Sequence, residues 1–354
     1  MTILFILITI LLFGALIAIH EFGHFITAKL LGVRVNEFAI GMGPLLFSTQ
    51  KGETQYSLRA IPMGGFCAME GEDDASDDPR AFSNKPAWRK FIVLVAGSFM
   101  NFLTGFVLLA LLLAQNTFFV VPVIDTLMEG FPYESAQGLL PGDRIVRVNG
   151  ERIYTKSDLD LFFGRDEDGI MDLVIERDGV RLERPGFDLR PREYTYEGET
   201  VQMRGLICVR EPFHVGNWLR QSWYNTIDMV RMVRLSLVDL FSGRAGIQDM
   251  SGPIGIVTMM SDVGAQSPNM AAALANILWF VAFIAINLAV MNLLPIPALD
   301  GGRIFFLAVN GLFSLLTRRK LDPKYEGYVN MAGFCCLILL MVVVAFNDIV
   351  KLFA

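Results

Sequence analysis

The stretch Gly14–Val33, GALIAIHEFGHFITAKLLGV, decides how this 354-residue chain is read. It is apolar enough to lie in a bilayer, yet it carries His20, Glu21 and His24 in its middle. Ionisable residues inside a membrane segment are costly and default to function. At i and i+4 the two imidazoles leave one helix face about one turn apart, the spacing at which both can bind one metal ion. Glu21 beside them can reach a water activated there. The third histidine, His214, reads as an ordinary surface or core residue.

Outward from the motif, residues 2–31 hold no charge before Glu21, and 91–114, 274–295 and 328–346 hold none at all. A bilayer core needs about 20 consecutive apolar residues, so four spans are predicted. The first lacks the basic start and small-residue cleavage site of a secretory signal and reads as a retained helix. The composition agrees: 53% hydrophobic and 19% charged, against about 25% charged in a typical soluble domain. A net charge of -6 with no basic tract argues against nucleic acid as a partner. Cys67, Cys208, Cys335 and Cys336 show neither metal nor disulfide-framework spacing and read as buried or lipid-facing thiols.

Lysine and arginine set the expected orientation. The 32–90 loop carries Arg34, Lys51, Arg59, Arg80, Lys85, Arg89 and Lys90; the 296–327 loop carries Arg303, Arg318, Arg319, Lys320 and Lys324. Both are predicted to be cytoplasmic, leaving 115–273 outside. The acidic run EGEDDASDDPR (70–80) is expected to be a solvated cytoplasmic loop.

A third metal ligand has to come from elsewhere, and NLLPIPALDGGR (Asn292–Arg303) offers Asp300. Pro295 and Pro297 cannot continue a regular helix, and irregular backbone at membrane depth survives only inside protein or along a wet cavity. Gly301 and Gly302 permit a tight turn or close approach. The charge bias places this motif on the same side as His20 and His24.

In the outer region, LLPGDRIVRVNGERI (139–153) is a Pro-Gly-Asp turn followed by a strand with Ile145, Val148 and Ile153 at its apolar positions. It closely resembles the PDZ signature, and the preceding GFPYESAQGLL resembles that fold's short helix and its approach. The resemblance implies a PDZ domain at 118–210, a module that binds extended peptide by adding a strand to a sheet edge. Residues 218–241 have helical spacing with interleaved arginines; they read as an amphipathic membrane-surface helix, or equally as a helix packed on the PDZ domain.

HExxH (His20, Glu21, His24) together with NxxPxPxLDG (Asn292, Pro295, Pro297, Asp300, Gly301) resembles the paired signature of the site-2 protease family of intramembrane zinc metalloproteases. With a PDZ domain between the second and third spans, the chain is similar to the bacterial subgroup that includes the regulator of sigma-E protease. FAIGMGP (38–44) and YSLRAIPMGGF (56–66) resemble the family's membrane-associated β-hairpin, GSFMN (97–101) its Gly-xxx-Asn, and SGPIGI (251–256) the segment leading into its third span. One PDZ domain fits here, where the well-known enterobacterial member carries two.

The resemblance implies an α-helical polytopic membrane protein with four transmembrane helices, a membrane-associated β-hairpin and one inserted extracytoplasmic PDZ domain. Residues 1–114 would form the first half of the protease core (spans 2–31 and 91–114, hairpin 35–66) and 271–354 the second (spans 274–295 and 328–346), with the PDZ domain at 118–210 and a surface helix and linker at 213–256. It further implies Zn2+ held by His20, His24 and Asp300, with Glu21 as general base and then acid and the Asn292 amide stabilising the oxyanion. Tyr56, Leu58, Gly64, Gly65, Asn101, Pro295 and Pro297 are assigned to substrate binding, with a strand edge within 38–66 holding the unwound substrate. Implied partners are single-pass membrane proteins, such as anti-sigma factors and remnant signal peptides, and the lipid bilayer. The implied location is the bacterial inner membrane, with the active site toward the cytoplasm. A non-catalytic PDZ scaffold would leave HExxH or Asp300 free to decay, and both are intact. A metal transporter would place polar residues in several spans, yet the second and fourth offer almost none beyond Asn101.

Overall fold

The computed structural model describes residues 2–72, 76–196, 198–318 and 323–353. Asp73, Asp74 and Ala75 of the acidic run, and Arg319 and Lys320 of the second basic loop, lie outside the described residues. The elements in chain order are α1 (Thr2–Leu30), β1 (Val35–Lys51), β2 (Thr54–Met69), α2 (Ala87–Leu113), β3 (Phe118–Leu127), β4 (Arg144–Val148), β5 (Glu151–Arg152), α3 (Lys156–Arg165), β6 (Ile170–Arg177), β7 (Val180–Asp188), β8 (Arg192–Tyr196), β9 (Glu199–Met203), β10 (Leu206–Pro212), α4 (Val215–Phe241), α5 (Pro253–Gln266), α6 (Met270–Asn292), α7 (Asp300–Thr317) and α8 (Pro323–Phe353). Residues 1–108 with 229–354 form one compact unit and 109–228 another.

Among the described residues, four helices have the length and apolar composition to cross a membrane: Ile6–Leu30, Ala87–Leu113, Met270–Asn292 and Lys324–Lys351. In the first unit, Leu16 of α1, Met260 of α5 and Ala273, Ile277, Val281 and Ala285 of α6 share one core. Small residues let these backbones meet, as membrane helix interfaces require. A Cβ on Gly23 would strike the Ala96 carbonyl, and one on Gly105 would lie 3.0 Å from the Ala282 carbonyl oxygen. Two helices fall where the sequence reading saw a linker and a loop. α5 opens at Gly252 with Pro253 in its first turn, a position that tolerates the missing N–H. α7 follows the proline-rich turn directly. Asp348, 2% exposed near the end of α8, accepts from Gly252 N (3.2 Å) and Gly255 N (2.9 Å) at the start of α5. It thereby satisfies donors that a helix N-terminus leaves open.

The hairpin folds back on itself. Residues 35–40 pair with 65–69 on one side (Val35 with Met69, Phe38 with Cys67, Ile40 with Gly65) and with 55–58 on the other (Phe38 with Tyr56, Ile40 with Leu58). The stretch 65–69 is therefore an outer strand. The turn-back reaches α1 at Gly14, where a Cβ would collide with the Pro62 carbonyl. Leu45, Leu46 and Phe47 are exposed, as suits a hairpin in an apolar surround.

The second unit holds an antiparallel sheet in the order β10-β3-β4-β6-β7, with β5 on β4, and a separate β8–β9 ribbon. Ile145 and Val148 are both fully buried, although three residues apart a regular strand would point them to opposite faces. A register shift between Ile145 and Arg147 in the pairing with β6 reconciles them. Asp143, 1% exposed, takes two bonds from Arg177 (Nε 2.6 Å, Nη2 2.8 Å), a bidentate pair beneath the Pro-Gly-Asp turn. The short helix expected within GFPYESAQGLL does not form. Pro132 withholds an N–H, Gly138 N bonds back to Ser135 O at 3.0 Å and Leu139 N to Tyr133 O at 3.1 Å, so turns replace helical bonds. Val215, Leu219 and Trp223 form an exposed stripe at i, i+4, i+8 of α4, while Gln221, Ser222 and Asp228 are buried. Among the cysteines, Cys67 and Cys208 are buried and Cys335 and Cys336 exposed.

Candidate active site and metal centre

Four segments of the first unit converge on a cavity of about 470 Å³. α1 contributes His20, Glu21 and His24, α2 contributes Asn101, the end of α6 contributes Asn292, and the start of α7 contributes Asp300. The outer strand supplies the wall at Phe66, Cys67, Ala68 and Met69.

The donor atoms lie close together. His20 Nε2 and His24 Nε2 are 3.1 Å apart, and Asp300 Oδ2 is 3.2 Å from the first and 3.3 Å from the second. His24 Nδ1 donates to the Val93 carbonyl at 2.8 Å. That bond places the ring proton on Nδ1 and leaves the Nε2 lone pair facing the other two atoms. Asp300 Oδ2 is buried and accepts no well-aligned hydrogen bond. Lone pairs gathered this closely repel one another unless a cation lies among them. A tetrahedral zinc site with bonds of about 2.0–2.1 Å has ligand–ligand edges of about 3.3 Å, so two imidazoles and one carboxylate at these separations fit that ion.

The backbone around these groups explains the glycines. A Cβ on Gly97 would lie 2.7 Å from His20 Cε1, 2.8 Å from His20 Nε2 and closer still to His24 Nε2, so only glycine admits both rings against α2. The turn 293–299 wraps onto the first turn of α7: a Cβ on Gly301 would strike the Leu293 and Leu294 carbonyl groups, and one on Gly302 the Ile296 carbonyl. Ala298 is held at φ 70° within that turn, a left-handed conformation that non-glycine residues reach at some cost. This fold-back sets Asp300 opposite His20 and His24.

Among the residues assigned to substrate from the sequence, Asn101 lines the cavity and its side-chain amide stands 3.3 Å from His20 Nδ1. Gly65 adjoins the site, its Cβ position 3.5 Å from Glu21 Cγ. The others lie apart from the cavity wall. Tyr56 meets Phe25 and Phe38 edge-on, Leu58 is exposed, Gly64 abuts Met42, and Pro297 abuts Gly333 of α8. Pro295 belongs to the turn before Asp300.

Two charged lining residues, Glu72 and Arg303, are absent from the sequence-based site assignments. Glu72, within the acidic run taken as solvated, faces the cavity and accepts from Arg303 Nη1 and from Met69 N. Arg303 sits one helical turn after Asp300, an i, i+3 spacing that puts both on one side of α7. Cys67 is pushed up by burial and by the carboxylates of Glu21 and Glu72, so it lines the wall as a neutral thiol.

A helix-borne HExxH, an aspartate 3.2–3.3 Å from its imidazoles and several membrane-length apolar helices define a class: membrane-embedded metalloproteases. The model of peptidase family M50 matches residues 8–340, and the chain belongs to that family. It is similar to a protein of Clostridium acetobutylicum that bears the name of a zinc metalloprotease, 36% identical over 98% of this chain and 97% of that one. A similarly named protein of Clostridium perfringens is 34% identical over 98% of this chain and 99% of its own. The regulator of sigma-W protease RasP of Bacillus subtilis is 28% identical over 97% and 98%. The chain is a multi-pass membrane zinc metalloendopeptidase.

Proposed function

We propose that this protein hydrolyses peptide bonds within or near the transmembrane segments of single-pass membrane proteins, with His20, His24 and Asp300 as zinc ligands. The convergence of three ligand atoms beside Glu21, in a cavity walled by an outer β-strand, carries this reading. Bound zinc supplies Lewis acidity and a nucleophilic water at neutral pH. Glu21 takes a proton from the attacking water and passes it to the leaving amide nitrogen. Asn292, at the last turn of α6, offers side-chain N–H groups to the carbonyl oxygen as charge builds on it. A helical substrate has its carbonyls tied into i to i−4 bonds and must unwind first. The outer strand 65–69 can hold the unwound segment by β-augmentation, with Gly65 keeping the approach to Glu21 open. Anti-sigma factors and remnant signal peptides are the proposed substrates, the first in line with the likeness to a protein named a regulator of sigma-W protease.

The lysine and arginine bias supports a site toward the cytoplasm, with residues 115–273 outside. A cysteine placed at Asp77 should be protected from an impermeant thiol reagent in intact cells, and one placed at Glu151 labelled; the reverse pattern overturns the orientation.

The second unit is read as a PDZ domain. Its antiparallel sheet, its short helix α3 and the buried Asp143 of the Pro-Gly-Asp turn support that reading. It contributes no ligand or base, so its role is to select substrates, and we favour exclusion of those with a bulky outer domain. Replacing 118–210 by a flexible linker should leave cleavage of a trimmed substrate within about tenfold of wild type, a barrier change of about 1.4 kcal/mol. The same protein should cut a full-length substrate that wild type refuses. Loss of trimmed-substrate cleavage in a folded, zinc-loaded deletion would show that the unit recruits.

A further inference from the structure

α2 presents Val93, Gly97 and Asn101 at i, i+4 and i+8, one face of the helix, to the two imidazoles. The first two have clear parts: the Val93 carbonyl accepts the His24 Nδ1 proton, and Gly97 leaves room for both rings. The third faces His20 Nδ1, with the Asn101 side-chain nitrogen 3.3 Å away. Asn101 is 1% exposed, and its Oδ1 is buried without a hydrogen-bond partner. An imidazole that offers Nε2 to a cation carries its proton on Nδ1, and that proton needs an acceptor. An amide nitrogen cannot be one. A half-turn of the amide exchanges its oxygen and nitrogen without changing its shape. It gives the ring N–H an acceptor and the orphaned oxygen a donor in one step.

We propose that Asn101 is a positioning residue of the metal centre: its side-chain carbonyl accepts the His20 Nδ1 proton, as the Val93 backbone carbonyl does for His24. The second span thus orients both histidines, one through its backbone and one through a side chain. Asn101 acts through His20 and makes no contact with substrate that the reaction requires. The inference rests on reading His20 as a ligand, and the experiment separates the two.

The full chain is purified in detergent. Zinc affinity is measured by competition with a chromophoric chelator, and the visible spectrum is recorded after cobalt substitution. Asn101→Leu and Asn101→Ala, which remove the acceptor, should bind zinc about 10- to 100-fold more weakly, the usual effect of losing a partner behind a ligating histidine. Asn101→Asp restores an acceptor and should return affinity to within about threefold of wild type, with the wild-type cobalt spectrum. Thermal unfolding of the metal-free variants controls for folding, and Asn101→Ala decides if Asn101→Leu does not fold. Wild-type zinc affinity in folded Asn101→Ala, with only KM raised, overturns the proposal in favour of substrate contact. Asn101→Asp as weak as Asn101→Leu overturns it too. Tight zinc binding by His20→Ala instead sinks the ligand reading itself.

Discussion

Replacing Glu21 by glutamine is expected to slow peptide cleavage by about 10²–10⁴-fold, the usual worth of a positioned general base, or about 2.7–5.5 kcal/mol of barrier. Zinc should stay bound at about one ion per chain, because Glu21 lies outside the His20–His24–Asp300 triangle. His20→Ala and Asp300→Ala should lose metal and cleavage together, since two remaining ligands no longer make a three-ligand site. Side by side, metal content and the membrane-fragment profile of cells carrying wild type or Glu21→Gln give the answer. The assignment is wrong if Glu21→Gln comes out empty while Asp300→Asn stays full.

Gly97→Ala is the smallest change with a comparable reach. The added methyl would lie under 3.0 Å from atoms of both His20 and His24, and no flexible tip can swing aside, because the obstacles are ring atoms. Overpacking of this kind costs about 1–3 kcal/mol. If the rings move to relieve it, zinc affinity falls by about 5- to 150-fold, at 1.4 kcal/mol per factor of ten. Gly311→Ala, whose Cβ position meets nothing within 4 Å, is the matched control on α7 and should leave zinc binding unchanged. A Gly97→Ala protein with wild-type zinc affinity would mean that the rings sit farther from α2 than the structure has them.

What the sequence made legible depended on how local the signal was. His20, Glu21 and His24 share one turn of one helix, so the spacing alone states their geometry. Asp300 was reachable because two prolines and two glycines in one short stretch announce a break and a close approach. The sequence could not show which backbone each glycine touches: Gly97 against the imidazoles, Gly14 against Pro62, Gly301 against the turn before it. From the sequence, a substrate-holding strand edge can be placed only somewhere within 38–66, with Tyr56 and Leu58 assigned to substrate. The doubled pairing of residues 35–40 moves the outer strand to 65–69, and that depends on contacts between non-local segments. Glu72 looks in sequence like one charge among a solvated run, because its partner, Arg303, lies 231 residues away. The helix α7 is hidden in the sequence because Pro295, Pro297 and the two glycines signal a break just where it begins.

The two anchor points on α2, Val93 and Asn101, grip the histidines at fixed heights along one helix. A slide of α1 past α2 by a single residue rise, about 1.5 Å, would misalign both contacts at once, and the glycine notch between them would no longer face the rings. The metal centre therefore needs the first two spans to keep one register against each other. Whatever makes way for a substrate has to move elsewhere: in the strand 65–69, in the turn 293–299, or in α8, whose membrane-length stretch is only 6% buried.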